Sequence, residues 1–399
     1  MKKSRIDRFI MEQEGLSSLS RKEIEAVQLN KLNRLLALEK ERSGYYRSLP
    51  DRLNVLSELE SLPFTTDEDL AHHAGGMLLT SQSRIQRVLS DATSGTTGIA
   101  KRVFYTEADC EHTVRLFMAG LGELIFPGSV TMICFPFSGP YGLGELIAAA
   151  VERLGARPLK LGAGLSYRDL RTAMEREQPD TFVGMPVQLL SMLRVCGKGS
   201  LQRALVSGDG CPEAVLAACE KILGTRLFPH YGSREMALGG AITCPAHEGM
   251  HLRENHVIAE IVDEGGRVLP HGEWGELVIT TVGMEAMPLI RYRTGDTTRI
   301  LPEPCACGSA VLRLDTVWRR ETRALLELDE QLFQQECVAD YCAVRREGKL
   351  NLTVLTKGSD GTELTVPDGA KAEQRPVTMD DRPLYAGKRK ILDPAKPNR

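Results

Sequence analysis

An apolar run, a helical stretch and a second apolar run follow one another between residues 130 and 161, and this alternation restricts the fold more than any other feature. Val130-Thr131-Met132-Ile133-Cys134-Phe135 reads as a buried strand, residues 144–154 as a helix and Arg157-Pro158-Leu159-Lys160-Leu161 as the next strand. Strand, helix, strand makes a parallel pair, because the helix is the crossover and also covers one sheet face. Similar alternation runs from about residue 85 to 300. From residue 256 the pattern shortens: 257–262, 276–280 and 297–301 are apolar runs split by Gly/Pro turns, expected as antiparallel strands. Residues 21 to 48 read as an amphipathic helix through Ile24, Val27, Leu32, Leu35, Leu36 and Leu38, with Gly44 as its stop. The segment after Val366 holds five of the twenty prolines and many charges, so it is expected to be partly irregular.

With 399 residues and 42% of them hydrophobic, the chain can bury a large core and divides into two or three domains. Lys+Arg 50 against Asp+Glu 53 leaves a net charge of −3, without the basic excess that nonspecific nucleic-acid binding needs. The most apolar stretch, residues 143–151, contains Glu145 and falls short of the roughly 18–20 residues that span a bilayer. The start, Met1-Lys2-Lys3-Ser4-Arg5, has no apolar region behind its charges, so no signal peptide and a cytoplasmic location are expected. Ten cysteines are too sparse for a disulfide scaffold and read as thiols or metal ligands.

The densest local signal is Asp91-Ala92-Thr93-Ser94-Gly95-Thr96-Thr97-Gly98-Ile99-Ala100-Lys101. Hydroxyl donors and two glycines crowd into six residues, with a lysine three beyond. Glycines let the backbone approach a phosphate, exposed N–H groups form an anion nest and hydroxyls donate to phosphoryl oxygens. The GxxxxGK[ST] phosphate loop is excluded by the glycine spacing and by the absence of Ser or Thr after the lysine. An ordinary polar turn is the other reading of such a cluster.

Two further segments follow in order: His230-Tyr231-Gly232-Ser233-Arg234-Glu235 and Tyr292-Arg293-Thr294-Gly295-Asp296. Together with TSGTTGxxK they resemble the three signatures of the adenylate-forming superfamily. Leu62-Pro63-Phe64-Thr65-Thr66, Gly249-Met250-His251-Leu252 and Pro288-Leu289-Ile290-Arg291 are similar to the phenylacetate-CoA ligase branch and its coenzyme F390 synthetase-like relatives. The resemblance spans roughly residues 27 to 318. It implies an α/β fold: a large multi-subdomain N-terminal domain with parallel and antiparallel sheets (1–317), plus a small, shortened α+β C-terminal domain (318–399).

The same resemblance implies the roles. Thr93, Ser94, Gly95, Thr96, Thr97, Gly98 and Lys101 would hold the β- and γ-phosphates of ATP, and Glu235 would ligate Mg2+. Asp296 would accept from the ribose hydroxyls, and Arg320 would contact the ribose. Tyr231-Gly232 and Ser207-Gly208-Asp209 would flank the adenine. Phe135, Phe137 and Tyr141 resemble the wall of the acid pocket, with a core role for the two phenylalanines left open. Superfamily members rotate the C-terminal domain about a hinge. Here that stretch is Val317-Trp318-Arg319-Arg320-Glu321-Thr322, which lacks the family's glycine and aspartate pair. Ala386-Gly387-Lys388-Arg389-Lys390-Ile391 is similar to the terminal segment whose lysine, here Lys388, would bridge carboxylate and α-phosphate; a solvated basic tail is the alternative.

Cys244 and His251, with Cys305-Ala306-Cys307-Gly308, offer four N/S ligands from two loops, the closed set expected of a structural Zn2+; unrelated buried thiols and a surface histidine are the other reading. His247 competes through the tighter Cys244-Pro245-Ala246-His247 spacing. The expected activity is an AMP-forming ligation of a carboxylic acid, aryl or apolar, first to AMP and then to coenzyme A. Adenylation alone, acyl transfer to a protein thiol, and a non-catalytic nucleotide-binding partner protein stay open. No nucleic-acid or membrane partner is expected, and a homodimer through the N-terminal helix is conceivable.

Overall fold

The computed structural model describes residues 4–92, 100–319, 322–358, 363–385 and 387–393. They form two compact units: Met1–Glu123 with His230–Val317, and Leu124–Pro229 with Trp318–Asn398.

In the first unit the long helix runs Arg21–Glu41, opened by Ser20, whose side chain accepts from the Glu23 amide. It stops before the expected residue 48 because Ser43 turns left-handed (φ 51°) and Gly44 donates to the Glu39 carbonyl. The Glu39 carboxylate folds beneath this turn and accepts from the Tyr46 amide at 3.1 Å. A Cβ at Gly44 would lie 2.0 Å from its Oε2, so a side chain there would displace the carboxylate. The apolar face of this helix is spent on the unit's own core: Leu32, Leu35 and Leu36 are buried with Tyr46, Leu53, Leu59 and Ile290.

Strands Val257–Val262, Gly275–Thr281 and Tyr292–Thr298 form an antiparallel run, as the shortened sequence pattern implied. The third strand lies earlier than the expected 297–301. Arg-Thr-Gly-Asp looks like a turn, but here it is a strand with Gly295 at φ 71° and a register shift opposite Glu276/Val278. Ala241–Thr243, Met250–Leu252 and Arg313–Leu314 make a second antiparallel set. Ile85–Ala92 and Ala100–Thr106 pair as a hairpin around the glycine-rich segment, of which residues 93–99 fall outside the described ones.

The second unit carries the parallel sheet. Arg157–Lys160, Val130–Ile133, Thr181–Gly184, Arg203–Val206 and the start of Phe228–Tyr231 lie side by side, all parallel. The crossovers are Leu143–Arg153, Tyr167–Glu177, Pro186–Cys196 and Glu213–Leu223. The C-terminal segment adds helix Arg323–Phe333 and strands Val338–Arg346, Lys349–Thr356 and Lys371–Pro376. Its Leu325, Leu328, Leu332, Phe333, Val338 and Tyr341 share one core with Leu170, Phe182, Leu189, Leu190, Val215 and Cys219 of the sheet layer. Buried Arg194 bonds the Phe333 carbonyl at 2.7 Å and also the Val338 carbonyl. No helix among the described residues is long and apolar enough to cross a membrane.

Candidate functional site

The segment around Thr65 and the Arg291–Thr294 stretch are adjacent, which explains why both carry signature residues. Thr65 donates its amide to the Arg291 carbonyl at 3.0 Å and accepts the Arg293 amide at 2.9 Å. Arg291 sits at φ 49°, an uncommon conformation for a non-glycine residue. It is held there by a bidentate pair with Glu260 (3.1 and 2.9 Å), bonds to the Glu60 and Leu62 carbonyls, and stacking on Phe64 at 4.2 Å. This buried clamp fixes the start of the strand that carries Tyr292 and Asp296.

Lys101 reaches Glu235 Oε1 at 2.9 Å and Asp67 Oδ1 at 3.0 Å. The Tyr292 hydroxyl accepts from Lys101 at 3.1 Å, donates to Asp67, and lies 3.4 Å from Glu235. Burial alone would raise the Glu235 carboxyl, but the Lys101 ammonium outweighs it and holds the pKa at about 2. Lys101 itself stays raised, because Glu235 and Asp67 overcome its own burial. The result is an ionised, buried carboxylate beside an ionised lysine, with a second, exposed carboxylate, Asp67, on the same lysine. Hard oxygen donors of this kind suit magnesium, and the lysine suits phosphate. Asp67 and the Tyr292 hydroxyl are additions that the sequence reading did not assign; the acidic Thr66-Asp67-Glu68-Asp69 helix start was the available signal.

Asp296 is buried, and its Oδ2 accepts from the Tyr231 hydroxyl at 2.7 Å. The two ends of the second and third signatures thus meet. Gly232 is obligatory, since a Cβ there would lie 2.2 Å from the Leu238 carbonyl oxygen. Ala237 and Leu238 follow with consecutive positive φ of 55° and 65°, strain of the kind that gathers at functional sites.

The other predicted contacts lie in the second unit. Gly208, at φ 84°, packs so closely on Phe135 that a Cβ would stand 2.9 Å from its ring. Phe135 is therefore buried, whereas Phe137 is half-buried with Lys160 Nζ 5.8 Å over its ring, and Tyr141 is at φ 63°. Ser207 and Gly208 are partly exposed; Lys388 is exposed. Thr93, Ser94, Gly95, Thr96, Thr97, Gly98 and Arg320 lie outside the described residues.

Cys244, His251, Cys305 and Cys307 bring one donor atom each to within 4.8 Å of one another. Cys244 Sγ lies 3.7 Å from Cys305 Sγ, and Cys307 Sγ lies 3.5 Å from His251 Nε2. Zinc bonds of about 2.3 Å to sulfur and about 2.05 Å to nitrogen place tetrahedral S/S neighbours about 3.8 Å and S/N neighbours about 3.6 Å apart. The donor set fits that ion, and His251, not His247, completes it. Burial pushes the Cys244 and Cys307 thiols up, so thiolates there need a cation to balance them. Arg313, unassigned from sequence, ties the two loops by bonding the Glu248 and Glu303 carbonyls, and Glu248 accepts the Ala306 amide at 2.9 Å.

A family model described as AMP-binding enzyme matches residues 91–286. The phenylacetate-coenzyme A ligase of Thermus thermophilus is 29% identical over 374 residues, covering 86% of this chain and 83% of that protein. That of Aromatoleum evansii is 32% identical over 314 residues, covering 72% and 69%. Among solved structures, 2-hydroxyisobutyryl-CoA ligase in the postadenylation state with R3-HIB-AMP matches with a TM-score of 0.76 at 21% identity, covering 94% of this chain and 91% of that one. That last likeness carries the fold; the sequence relatives carry the kinship. With the three ordered signatures and the Lys101–Glu235 and Tyr231–Asp296 pairs in place, the chain belongs to the phenylacetate-coenzyme A ligase family of AMP-binding, adenylate-forming enzymes.

Proposed function

We propose that this chain joins a carboxylic acid to coenzyme A by way of an acyl-adenylate. The substrate carboxylate oxygen attacks the α-phosphorus of ATP, a P–O bond forms, and the bond to pyrophosphate breaks. The coenzyme A thiol then attacks the acyl carbon, loses its proton, and AMP leaves. The observation that carries this reading is the Lys101–Glu235 pair at 2.9 Å, directly after the glycine-rich segment, with Glu235 ionised.

Each residue then has a task. Lys101 exchanges its carboxylate partners for phosphate oxygens, and Glu235 would hold magnesium, which supplies charge neutralisation at the phosphates. Tyr292 and Asp67 keep Lys101 oriented until the nucleotide arrives. Asp296, aimed by Tyr231, receives the ribose hydroxyls, and Thr93 to Gly98, with Arg320, complete the nucleotide contacts. Ser207 and Gly208 flank the adenine. Phe137 and Tyr141, with Phe135 as backing, favour an aryl or apolar acid. Lys388 bridges carboxylate and α-phosphate in residues 318–399, the C-terminal domain, while residues 1–317 bind ATP and acid. Cys244, His251, Cys305 and Cys307 would hold a structural zinc that staples two loops and takes no part in the reaction.

ATP–pyrophosphate exchange across a panel of aryl and short acyl acids, beside a Lys388→Ala variant, tests this. Acid-dependent exchange that is lost in the variant, with AMP release that requires coenzyme A, is the expected result. AMP release indifferent to coenzyme A would leave an adenylation-only enzyme or another thiol acceptor. ATP binding without exchange for any acid would leave a nucleotide-binding protein.

A further inference from the structure

Arg389, the neighbour of Lys388, is held in a buried ion pair. Its guanidinium donates to both Asp329 oxygens at 2.7 and 2.9 Å and lies over the rings of Tyr341 (4.9 Å), Phe333 (5.6 Å) and Tyr385 (5.6 Å). Asp329 projects from helix Arg323–Phe333 and also accepts the Tyr341 hydroxyl at 2.6 Å. Both charged groups are almost wholly buried. Breaking a buried ion pair leaves a charge without a partner, which opposes any displacement of the Arg389 side chain from Asp329.

That backbone meets the Ser207-Gly208-Asp209 turn. The Arg389 amide donates to Asp209 Oδ2 at 3.2 Å, while Asp209 Oδ1 accepts the Gly210 amide at 3.0 Å, so the carboxylate is aimed by its own turn. Burial raises the Asp209 carboxyl, and the Arg389 and Lys388 charges act to lower it. Lys388 itself is exposed.

We propose that Asp209 is a positioning residue for Lys388: its carboxylate takes the Arg389 amide and, with the Asp329–Arg389 cage behind, fixes the backbone from which Lys388 projects. The proposal rests on Lys388 being the adenylating lysine and on Ser207 and Gly208 lining the nucleotide. Adenylation is sensitive to such placement, because a displacement of about 1 Å at a reacting group costs about a hundredfold in rate.

The test is ATP–pyrophosphate exchange with Asp209→Ala, Asp209→Asn, Asp329→Asn and Lys388→Ala, each checked for an unchanged circular dichroism spectrum. Asp209→Ala is expected to lower kcat by about 10- to 100-fold with KM for ATP within about twofold. Asp209→Asn, whose amide oxygen still accepts the Arg389 N–H, recovers most of kcat. Asp329→Asn, which loosens the cage from the opposite side, lowers kcat in the same way. A raised KM for ATP at unchanged kcat would make Asp209 a nucleotide contact and overturn the proposal. Full exchange in Asp209→Ala, where Lys388→Ala abolishes it, overturns the positioning role alone. Full exchange in Lys388→Ala removes the reading on which both stand.

Discussion

Lys101 and Glu235 show how one pair sets both stability and chemistry. Glu235 has its pKa at about 2 against an ordinary 4.5 because Lys101 more than offsets its burial. A depressed carboxylate contributes stability that is present above its unfolded pKa and lost as pH falls through the folded one. That window runs from about 4.5 down to about 2. Lys101→Met strands the buried charge and is expected to cost about 3–5 kcal/mol at pH 7. The gap from wild type should begin to narrow above pH 4.5, where the variant's burial-raised Glu235 protonates, and narrow further below it as the wild type loses its ion pair; urea midpoints between pH 7 and 3 measure it. A gap independent of pH would mean that Glu235 is not the charge left unpaired. Glu235 and Asp296 were legible in the sequence because each ends a short motif of fixed spacing. Asp67 and the Tyr292 hydroxyl were not, since nothing in an acidic helix start or a strand tyrosine announces a lysine partner 34 or 191 residues away.

At the scale of elements, Cys244 and His251 in one segment meet Cys305 and Cys307 in another. Gly249 (φ 82°) and Gly308 (φ 76°) permit the turns, and Met250, Leu252, Val311 and Leu314 are buried near them. Metal analysis of the purified protein is expected to find one zinc per chain, and Cys305→Ser to lose it with a stability loss upwards of about 4 kcal/mol. Zinc-free protein of wild-type stability would dismiss the site. The four residues, His251 among them, were read from the sequence with His247 as a competitor, and the structure brings His251 to the three cysteines. That placement depends on Met250–Leu252 being a strand paired with Arg313–Leu314, which turns the His251 ring toward the second loop. The displaced strand Tyr292–Thr298 has a similar cause: Gly295 and its neighbours look like a turn locally, and only pairing with Gly275–Thr281 makes them a strand.

Across the whole molecule, the consequential feature is the core shared by residues of the parallel-sheet layer and of the C-terminal segment. Leu332 is fully buried in it, and Leu332→Ala is expected to cost about 2–5 kcal/mol. Because the core is common, hydrogen exchange should quicken in strand Thr181–Gly184 along with strand Val338–Arg346, while Val257–Val262 in the other unit is unaffected. Faster exchange confined to 338–346 would mean that the C-terminal segment opens by itself. The sequence alone determined the fold class and the chemistry. Alternating strands and helices require a covered parallel sheet, and three ordered segments that resemble the family's signatures point to acid activation with ATP. Only the tertiary structure decided that Asp67 and Glu235 share Lys101, that Arg313 ties the cysteine loops, and that Arg389 is caged beside Asp209. These pairings join residues far apart in the chain, and their energies come from burial and close geometry, which leave no periodic trace in a linear sequence.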